Sequence, residues 1–243
     1  MSTEEAAMEL APHIRRIGND IIAVHLIVTD EGITVVDAGL AGHRKDLANE
    51  LDAMGRSLDD VKGVILTHGD SDHVGFAERL RREAGVPVYV HEADAARAKG
   101  AKPPKTARQH MHVAPTIGFF WYSLRKGGLR TTALTEVVAM RGGEILPLPG
   151  APRIIELPGH SPGSIAVHVP LARAVFVGDA LTTRHVLTGE VAPQPAPFTD
   201  DPDAAARSLD AIADLDVDWV IPGHGAPWHG SPRALVDAIR TRS

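Results

Sequence analysis

Short apolar runs alternate with amphipathic segments along the first half of the chain. The runs predict strands over residues 21–28, 33–37, 61–66 and 86–90, and the amphipathic segments predict helices over about residues 43–54 and through Ala84. The first two strands are apolar on both faces, which is typical of strands covered on both sides. The alternation of strands and helices therefore predicts a buried sheet that contains βαβ units.

The second half is rich in strands first and ends in helices. Strands are predicted over residues 137–140, 153–157, 164–169, 174–177 and 217–221, a proline-rich loop over 193–197, and helices over 200–214 and from Ser231. The run Val64 to Gly69 resembles the run Val220 to Gly225, so the halves echo each other. We expect two βα halves with their sheets face to face, their helices outside and their strand ends at one edge.

One segment interrupts this pattern. It carries Pro103-Pro104, Pro115 and Gly127-Gly128, and four consecutive aromatic residues, Phe119 to Tyr122. We interpret it as an excursion from the core that forms a helical lid. No linker-like composition divides the chain, so the sequence predicts a single domain over residues 1–243 with an insertion over about residues 100–132.

Composition narrows the choice of chemistry. The chain has 243 residues, no cysteine and 13 histidines, so any metal must be held by imidazole and carboxylate groups. No run of eighteen apolar residues is present and the N-terminus is acidic, so we expect no membrane partner and a cytoplasmic location. The net charge of −6 argues against a nucleic-acid partner.

The charge is unevenly distributed. No acid occurs between Arg97 and Arg130, a segment with eight cations: Arg97, Lys99, Lys102, Lys105, Arg108, Arg125, Lys126 and Arg130. Such a segment either pairs with acids on the core or receives a negative ligand. The first case describes an ordinary subdomain or a homodimer contact, and the second a lid that selects an anionic, partly apolar small-molecule substrate.

The strongest chemical signal follows the predicted strand 61–66. His68, Asp70, Asp72 and His73 place four potential metal ligands within six residues. In an extended segment, residues two apart face the same way, so His68 and Asp70 can serve one ion while Asp72 and His73 serve a second. The alternative is a polar turn with Ser71 or Asp72 as the N-cap of a helix, which leaves both histidines unexplained.

Three further turns carry a polar residue after an apolar strand. His160 lies in Pro158-Gly159-His160-Ser161-Pro162-Gly163, Asp179 follows Gly178, and His224 lies between Gly223 and Gly225. Glycine permits the close backbone approach that a buried ion requires. Each turn alone can be a capped strand end, but the three together extend the candidate metal site.

From about Ile21 to Ile239 these motifs resemble the metallo-β-lactamase-fold superfamily of metallohydrolases. The resemblance rests on Asp37-Ala38-Gly39, the His68 to His73 stretch, His160-Ser161-Pro162-Gly163, Gly178-Asp179 and Gly223-His224-Gly225. It implies a four-layer αββα sandwich with two divalent metal ions, zinc in most cases. The implied ligands are His68 and His160 for the first ion, Asp72, His73 and His224 for the second, and Asp179 between them.

One position departs from the family pattern, in which the second histidine of the stretch stands where this chain has Asp70. A carboxylate there lowers the charge of the site by one and suits harder ions, so iron or manganese becomes an alternative to zinc. The flavo-diiron branch of the superfamily similarly carries a carboxylate at this position. Asp70 is either a metal ligand or a group outside the coordination sphere.

The leading hypothesis is a hydrolase in which a metal-bound hydroxide attacks an ester, lactone, thioester or related carbonyl group. Asp72 would be the catalytic residue that orients the hydroxide while it binds its own metal. Asp37 is expected behind the ligands, and Tyr122 either packs in the lid or donates to an oxyanion. The alternatives are a diiron oxygen or redox protein, suggested by Asp70, and a phosphodiesterase or nuclease, suggested by the basic aromatic insertion.

Overall fold

The structure, a computed structural model, describes residues 8–104, 106 and 110–242. In these residues the first sheet has seven strands in chain order, β1 (Met8–Ala11), β2 (Ile14–Gly18), β3 (Ala23–Thr29), β4 (Gly32–Val36), β5 (Val61–Ile65), β6 (Val88–His91) and β7 (Val138–Met140). Strands β1 to β4 are antiparallel neighbours, whereas β4 to β7 are parallel. The parallel strands therefore end at the same edge.

The remaining described strands are β8 (Arg153–Glu156), β9 (Ile165–Val169), β10 (Ala174–Gly178), β11 (Thr182–Arg184), β12 (Val191–Gln194), β13 (Trp219–Pro222) and β14 (Trp228–His229). The second sheet has the order β14-β13-β10-β9-β8, and β11 pairs with β12 in a hairpin. Strand β9 is antiparallel to both β8 and β10, and β13 is parallel to β10. Strands β8, β10 and β13 consequently run in one direction.

The helices connect and cover these sheets. Their bounds are α1 (His43–Ala53), α2 (Ser71–Val74), α3 (Ala77–Ala84), α4 (Ala95–Ala98), α5 (Val113–Arg125), α6 (Pro202–Ser208), α7 (Asp210–Ala213) and α8 (Pro232–Arg240). Single 3-10 turns occupy Leu58–Asp60, Glu92–Asp94, Gly128–Arg130 and Pro170–Ala172. No helix in the described part of the chain is long and apolar enough to cross a membrane.

Three buried clusters define the layers. In the first, Leu47 and Leu80 of the helices pack on Val35 of the first sheet. The second contains residues of both sheets, among them Ile27, Ile65, Ile154, Val167 and Phe176. In the third, helical residues cover the other face of the second sheet, among them Ile212, Leu235 and Ile239. Helices, two facing sheets and helices thus form four layers, and the predicted αββα sandwich is confirmed.

The structure corrects three local predictions. The polar start of the chain contains β1 and β2, and in β2 Ile14 and Ile17 are buried although Arg15 and Arg16 interrupt the apolar pattern. Pro193 lies within strand β12. Proline lacks a backbone N–H, and it is tolerated there because β12 pairs with a single neighbour, β11. The helix predicted over residues 200–214 is divided into α6 and α7.

The aromatic segment forms helix α5, which has no buried residue. The Tyr122 hydroxyl lies 2.9 Å from His43 Nε2, so this side chain joins α5 to α1. Lys126 Nζ donates to Asp46 at 2.7 Å, also on α1. Lys105 and Arg108, two of the predicted ligand-binding cations, lie outside the described residues. One domain with an insertion over about residues 100–132 stays a prediction.

Candidate metal centre

The predicted ligands lie where strands of both sheets end. His68 follows β5, and His73 lies in the short helix α2. His160, Asp179 and His224 follow β8, β10 and β13, the three strands of the second sheet that run in one direction. The backbone N–H of Ile165 donates to the Thr67 carbonyl at 2.9 Å and joins the two sheets beside the site. The two sheets therefore bring together residues that are far apart in sequence.

Six of the seven predicted ligands form two groups of three. The first group is His68, His160 and Asp179, and the second is Asp72, His73 and His224. In each group, one nitrogen or oxygen atom from every residue lies within 4.8 Å of those of the other two. Asp179 also approaches the second group, because its Oδ1 lies 3.4 Å from His73 Nε2 and its Oδ2 3.2 Å from His224 Nε2. Its two oxygens thus face both groups, the arrangement of a carboxylate between two ions.

The hydrogen bonds of the histidines determine which nitrogen faces the centre. His73 Nδ1 lies 2.9 Å from Asp37 Oδ2, and His224 Nδ1 contacts the Ile21 carbonyl, so in both rings Nδ1 carries a proton and donates it. Thr67 donates its hydroxyl proton to Asp37, so its Oγ1 accepts from His68 Nδ1 at 3.1 Å. The Nε2 atoms of these rings therefore face the centre, and Nε2 is the atom available to a metal when Nδ1 donates to another partner.

The fourth histidine, His160, is also oriented by a hydrogen bond from its Nδ1. Its Nδ1 lies 3.3 Å from Thr199 Oγ1, and that hydroxyl donates to the Ala196 carbonyl at 2.8 Å. Thr199 therefore accepts from Nδ1, and Nε2 of His160 is directed at Asp70 Oδ2, 3.2 Å away. When the imidazoles are neutral, the ring nitrogens and carboxylate oxygens that meet at the centre are all acceptors, so they require either added protons or a cation among them.

The electrostatics of the buried groups fit cation binding. Burial alone would lower the pKa of His73, but the carboxylates of Asp37 and Asp179 outweigh it and raise that pKa well above 6.5. Burial alone would raise the pKa of Asp179, but the neighbouring His224 and His73 keep it well below its usual range. Burial and the adjacent imidazoles lower the pKa of His68. The centre thus attracts positive charge, and a divalent cation would displace the proton held by His73.

Unpaired buried atoms test whether the residues suit a metal ion. Nε2 of His68, Nε2 of His73 and Oδ1 of Asp179 are buried and have no hydrogen-bond partner among the described residues. Leaving such atoms unpaired is costly, and coordination to a metal removes the cost. Gly223 borders the same space, since a Cβ there would lie 2.6 Å from His73 Cε1 and 2.8 Å from Asp179 Oδ1. The donor set and its surroundings fit a metal centre.

Asp70, the seventh predicted ligand, lies beside the first group. Its Oδ2 is 3.2 Å from His160 Nε2 and 3.6 Å from His68 Nε2. Arg97 donates to the same carboxylate from Nε at 2.5 Å and from its second terminal nitrogen at 2.9 Å. These contacts and the nearby imidazoles lower the pKa of Asp70 although burial opposes the shift. Arg97 also offsets the extra negative charge that an aspartate brings to this position.

Asp94 is a positioning residue that the sequence reasoning missed. Its fully buried carboxylate accepts from Gly69 N at 2.8 Å, from Ser161 Oγ at 2.6 Å and from Gly163 N at 2.8 Å. These residues neighbour His68 and His160, so Asp94 ties together two ligand loops from different sheets. The sequence did contain a signal for this role. Asp94 comes just after β6, and because β6 is parallel to β5 both strands end at the same edge, where His68 lies.

Asp37 lies behind His73, as expected. Its Oδ1 accepts from Thr67 N at 2.8 Å while its Oδ2 accepts from His73 Nδ1 at 2.9 Å. Its φ of 61° is in the left-handed region, where aspartate and asparagine are tolerated better than most residues. A carboxylate on the far side of a metal-ligating histidine fixes its tautomer and orientation.

Comparison with known proteins agrees with this geometry. Residues 17–224 match the family model of the metallo-beta-lactamase superfamily. The chain is 26% identical over 222 residues to the probable metallo-hydrolase YflN of Bacillus subtilis, an alignment that covers 87% of this chain and 82% of that protein. It is 32% identical over 163 residues to a hydroxyacylglutathione hydrolase of Cereibacter sphaeroides, covering 67% of this chain and 48% of that protein.

A solved structure extends the similarity to nearly the whole fold. The crystal structure of TTHA1623 in a di-iron-bound form superposes with a TM-score of 0.63 at 25% identity, covering 93% of this chain and 98% of that one. The four layers and the two ligand groups are thus found in a chain that resembles probable metallo-hydrolases in sequence and a di-iron-bound protein in structure.

Proposed function

Because the chain belongs to the metallo-β-lactamase superfamily, we propose that it is a metal-dependent hydrolase that cleaves an ester, lactone, thioester or related carbonyl substrate. In the reaction, the oxygen of water bonds to the carbonyl carbon, the bond to the leaving group breaks, and the leaving group takes up a proton. The observation that carries the proposal is the meeting of Nε2 atoms from four histidines with the oxygens of Asp179, Asp72 and Asp70.

The proposed ligands are His68, Asp70 and His160 for one ion and Asp72, His73 and His224 for the other, with Asp179 between them. Bound divalent ions supply a Lewis acid and make water a better nucleophile at neutral pH. Zinc suits the imidazoles, whereas the additional carboxylate of Asp70 also suits iron or manganese.

The chain's own residues would hold the reacting groups. Asp72 is half-buried and borders a surface cavity, with its Oδ2 3.5 Å from His224 Nε2. This position suits the proposed role of orienting water towards a substrate carbonyl that enters from the cavity. Asp37, Thr67 and Thr199 hold the imidazole rings in place through Nδ1, so the ligand geometry is set before the substrate binds.

The proposal is tested by elemental analysis of protein purified without chelator, together with hydrolysis of simple esters and lactones. We expect two metal ions per chain in the wild-type protein, loss of at least one ion in His73→Ala and Asp179→Ala, and loss of hydrolysis in both. His229→Ala is the matched control, because this exposed histidine stacks near Trp219 on β13, away from the ligands, and should retain metal and activity. Wild-type protein without stoichiometric metal would overturn the proposal.

A diiron protein with oxygen or redox chemistry is the second candidate. It is supported by Asp70 and by the similarity to a structure in a di-iron-bound form. The same elemental analysis separates the two, because iron in both sites with consumption of oxygen supports the diiron protein, whereas zinc supports the hydrolase. A nuclease receives less support, since Arg97 and Lys126 of the basic segment pair with acids of the core.

A further inference from the structure

A cavity of about 900 Å³ opens beside the candidate metal centre. Asp70 and Asp72 lie in its wall, so a ligand in this space reaches the proposed ligands directly. The volume is within the range of cavities that hold small molecules, about 300–1,000 Å³. The cavity is therefore the natural position for the part of a substrate that does not react.

Most of the described wall away from the centre is apolar. It includes Leu40 beside β4, Phe119, Phe120 and Leu124 of α5, Leu129 of the following turn, and Phe198 of the loop before α6. Four of these side chains, Phe120, Leu124, Leu129 and Phe198, are large and exposed. Exposed apolar side chains that converge on one cavity mark a site for an apolar ligand.

The charges of the described lining residues offer no unpaired cation to an anionic group. Arg97 is the one cation among the described lining residues, and its guanidinium is bonded to Asp70 and Asp200. Arg125, Lys126 and Arg130 of the basic segment line a separate cleft with Lys45 and Arg79.

From this wall we propose that the cavity binds a neutral, apolar acyl group, with the carbonyl carbon at the metal end and the hydrocarbon between Phe119, Phe120 and Leu124. The inference rests on the proposed hydrolase function and specifies its substrate class. It is an alternative to the expected anionic substrate and follows from the described side chains that line the cavity. Helix α5 is then a wall of the substrate site.

Two neighbouring aromatic residues make a matched pair for the test. Phe120 and Trp121 both lie on α5 and are each 59% exposed, but Phe120 lines the cavity and Trp121 does not. We expect Phe120→Ala to lower kcat/KM for para-nitrophenyl octanoate by about tenfold and to leave the acetate ester nearly unchanged. Trp121→Ala should leave both unchanged. Equal losses for the two variants, or a loss independent of chain length, would overturn the inference.

A charged substrate tests the second half of the proposal. The para-nitrophenyl monoester of succinic acid and the corresponding butyrate differ mainly in a carboxylate, and we expect the metal-loaded enzyme to prefer the butyrate. A preference for the succinate monoester would show that a cation does serve the cavity and would contradict the assignment.

A binding measurement separates the cavity from the chemistry. Fluorescence of the neutral apolar dye N-phenylnaphthylamine should report binding to wild-type protein and Trp121→Ala, and binding about tenfold weaker to Phe120→Ala. If no ester is hydrolysed but this pattern holds, the proposed function fails while the apolar cavity stands. If the dye binds all three proteins equally, the cavity assignment is wrong even where hydrolysis is found.

Discussion

Arg97 donates to both carboxylate oxygens of Asp70, at 2.5 and 2.9 Å, and to Asp200 at 2.7 Å. The sequence resemblance implies a histidine where Asp70 stands, whereas this chain has both a carboxylate and a cation at one corner of the centre. The pair keeps the local charge near that of a histidine and holds the carboxylate beside His160. The two residues should therefore behave as one unit.

The first prediction follows from this pairing. Asp70→His removes the main partner of Arg97 and leaves a guanidinium beside three imidazoles, so zinc binding should be no stronger than in the wild-type protein. Adding Arg97→Met to the Asp70→His variant should strengthen zinc binding by on the order of tenfold. The same Arg97→Met change in the wild-type protein should strengthen it by much less. Calorimetric titration of metal-free protein measures all four affinities. Equal effects of Arg97→Met in both backgrounds would show that the two residues act independently.

The second prediction concerns Asp37, whose three partners, Thr67 N, Thr67 Oγ1 and His73 Nδ1, all donate hydrogen bonds to it. In Asp37→Asn an amide nitrogen must face one of these donors, while the backbone at φ 61° still suits asparagine. We expect metal affinity to fall about 10- to 100-fold with the fold retained.

Calorimetry reports that affinity, and circular dichroism reports the fold. Asp216→Asn is the control, because Asp216 is exposed and pairs with Arg173 away from the centre. Unchanged metal affinity in Asp37→Asn would restrict Asp37 to a role in the backbone turn.

The third prediction is a pH dependence of stability. Hydrogen bonds from Arg81 lower the pKa of the Glu78 carboxyl to about 2, and Thr135 and Arg82 contribute although burial opposes the shift. A lowered folded-state pKa stabilises the protein above the unfolded value of 4.5, and this contribution disappears as the pH falls towards about 2. Glu78→Gln should lower the free energy of unfolding by about 1–2 kcal/mol at neutral pH.

Urea unfolding of wild-type protein and Glu78→Gln at pH values from neutral to acid tests the sign. The difference between the two proteins should shrink as the solution becomes more acid than the unfolded pKa of 4.5. A difference that stays constant with pH would mean that the charge of Glu78 contributes nothing, and that only uncharged contacts such as its hydrogen bond from Thr135 matter.

The sequence by itself predicted the layers and the candidate ligands because both depend on short-range patterns. Apolar runs such as Val64 to Leu66 identify buried strands, and a polar residue in a glycine-rich turn after such a strand, as at His160 or His224, must lie at the edge of a sheet. Strand β2 was missed since Arg15 and Arg16 interrupt the apolar pattern, and Arg16 is buried with a hydrogen bond to the Gly225 carbonyl that only the fold supplies.

The tertiary structure alone decided how the centre is supported and what borders it. Asp94 joins Gly69 to Ser161, and Arg97 joins Asp70 to Asp200, across separations in sequence that no local pattern encodes. The same packing directs Arg125 and Arg130 to one cleft and Phe120 to another, although all three come from one basic, aromatic segment. The sequence shows which charged and aromatic residues the segment contains. Which of them face the metal centre depends on how helix α5 lies against α1 and the loops at the sheet edge.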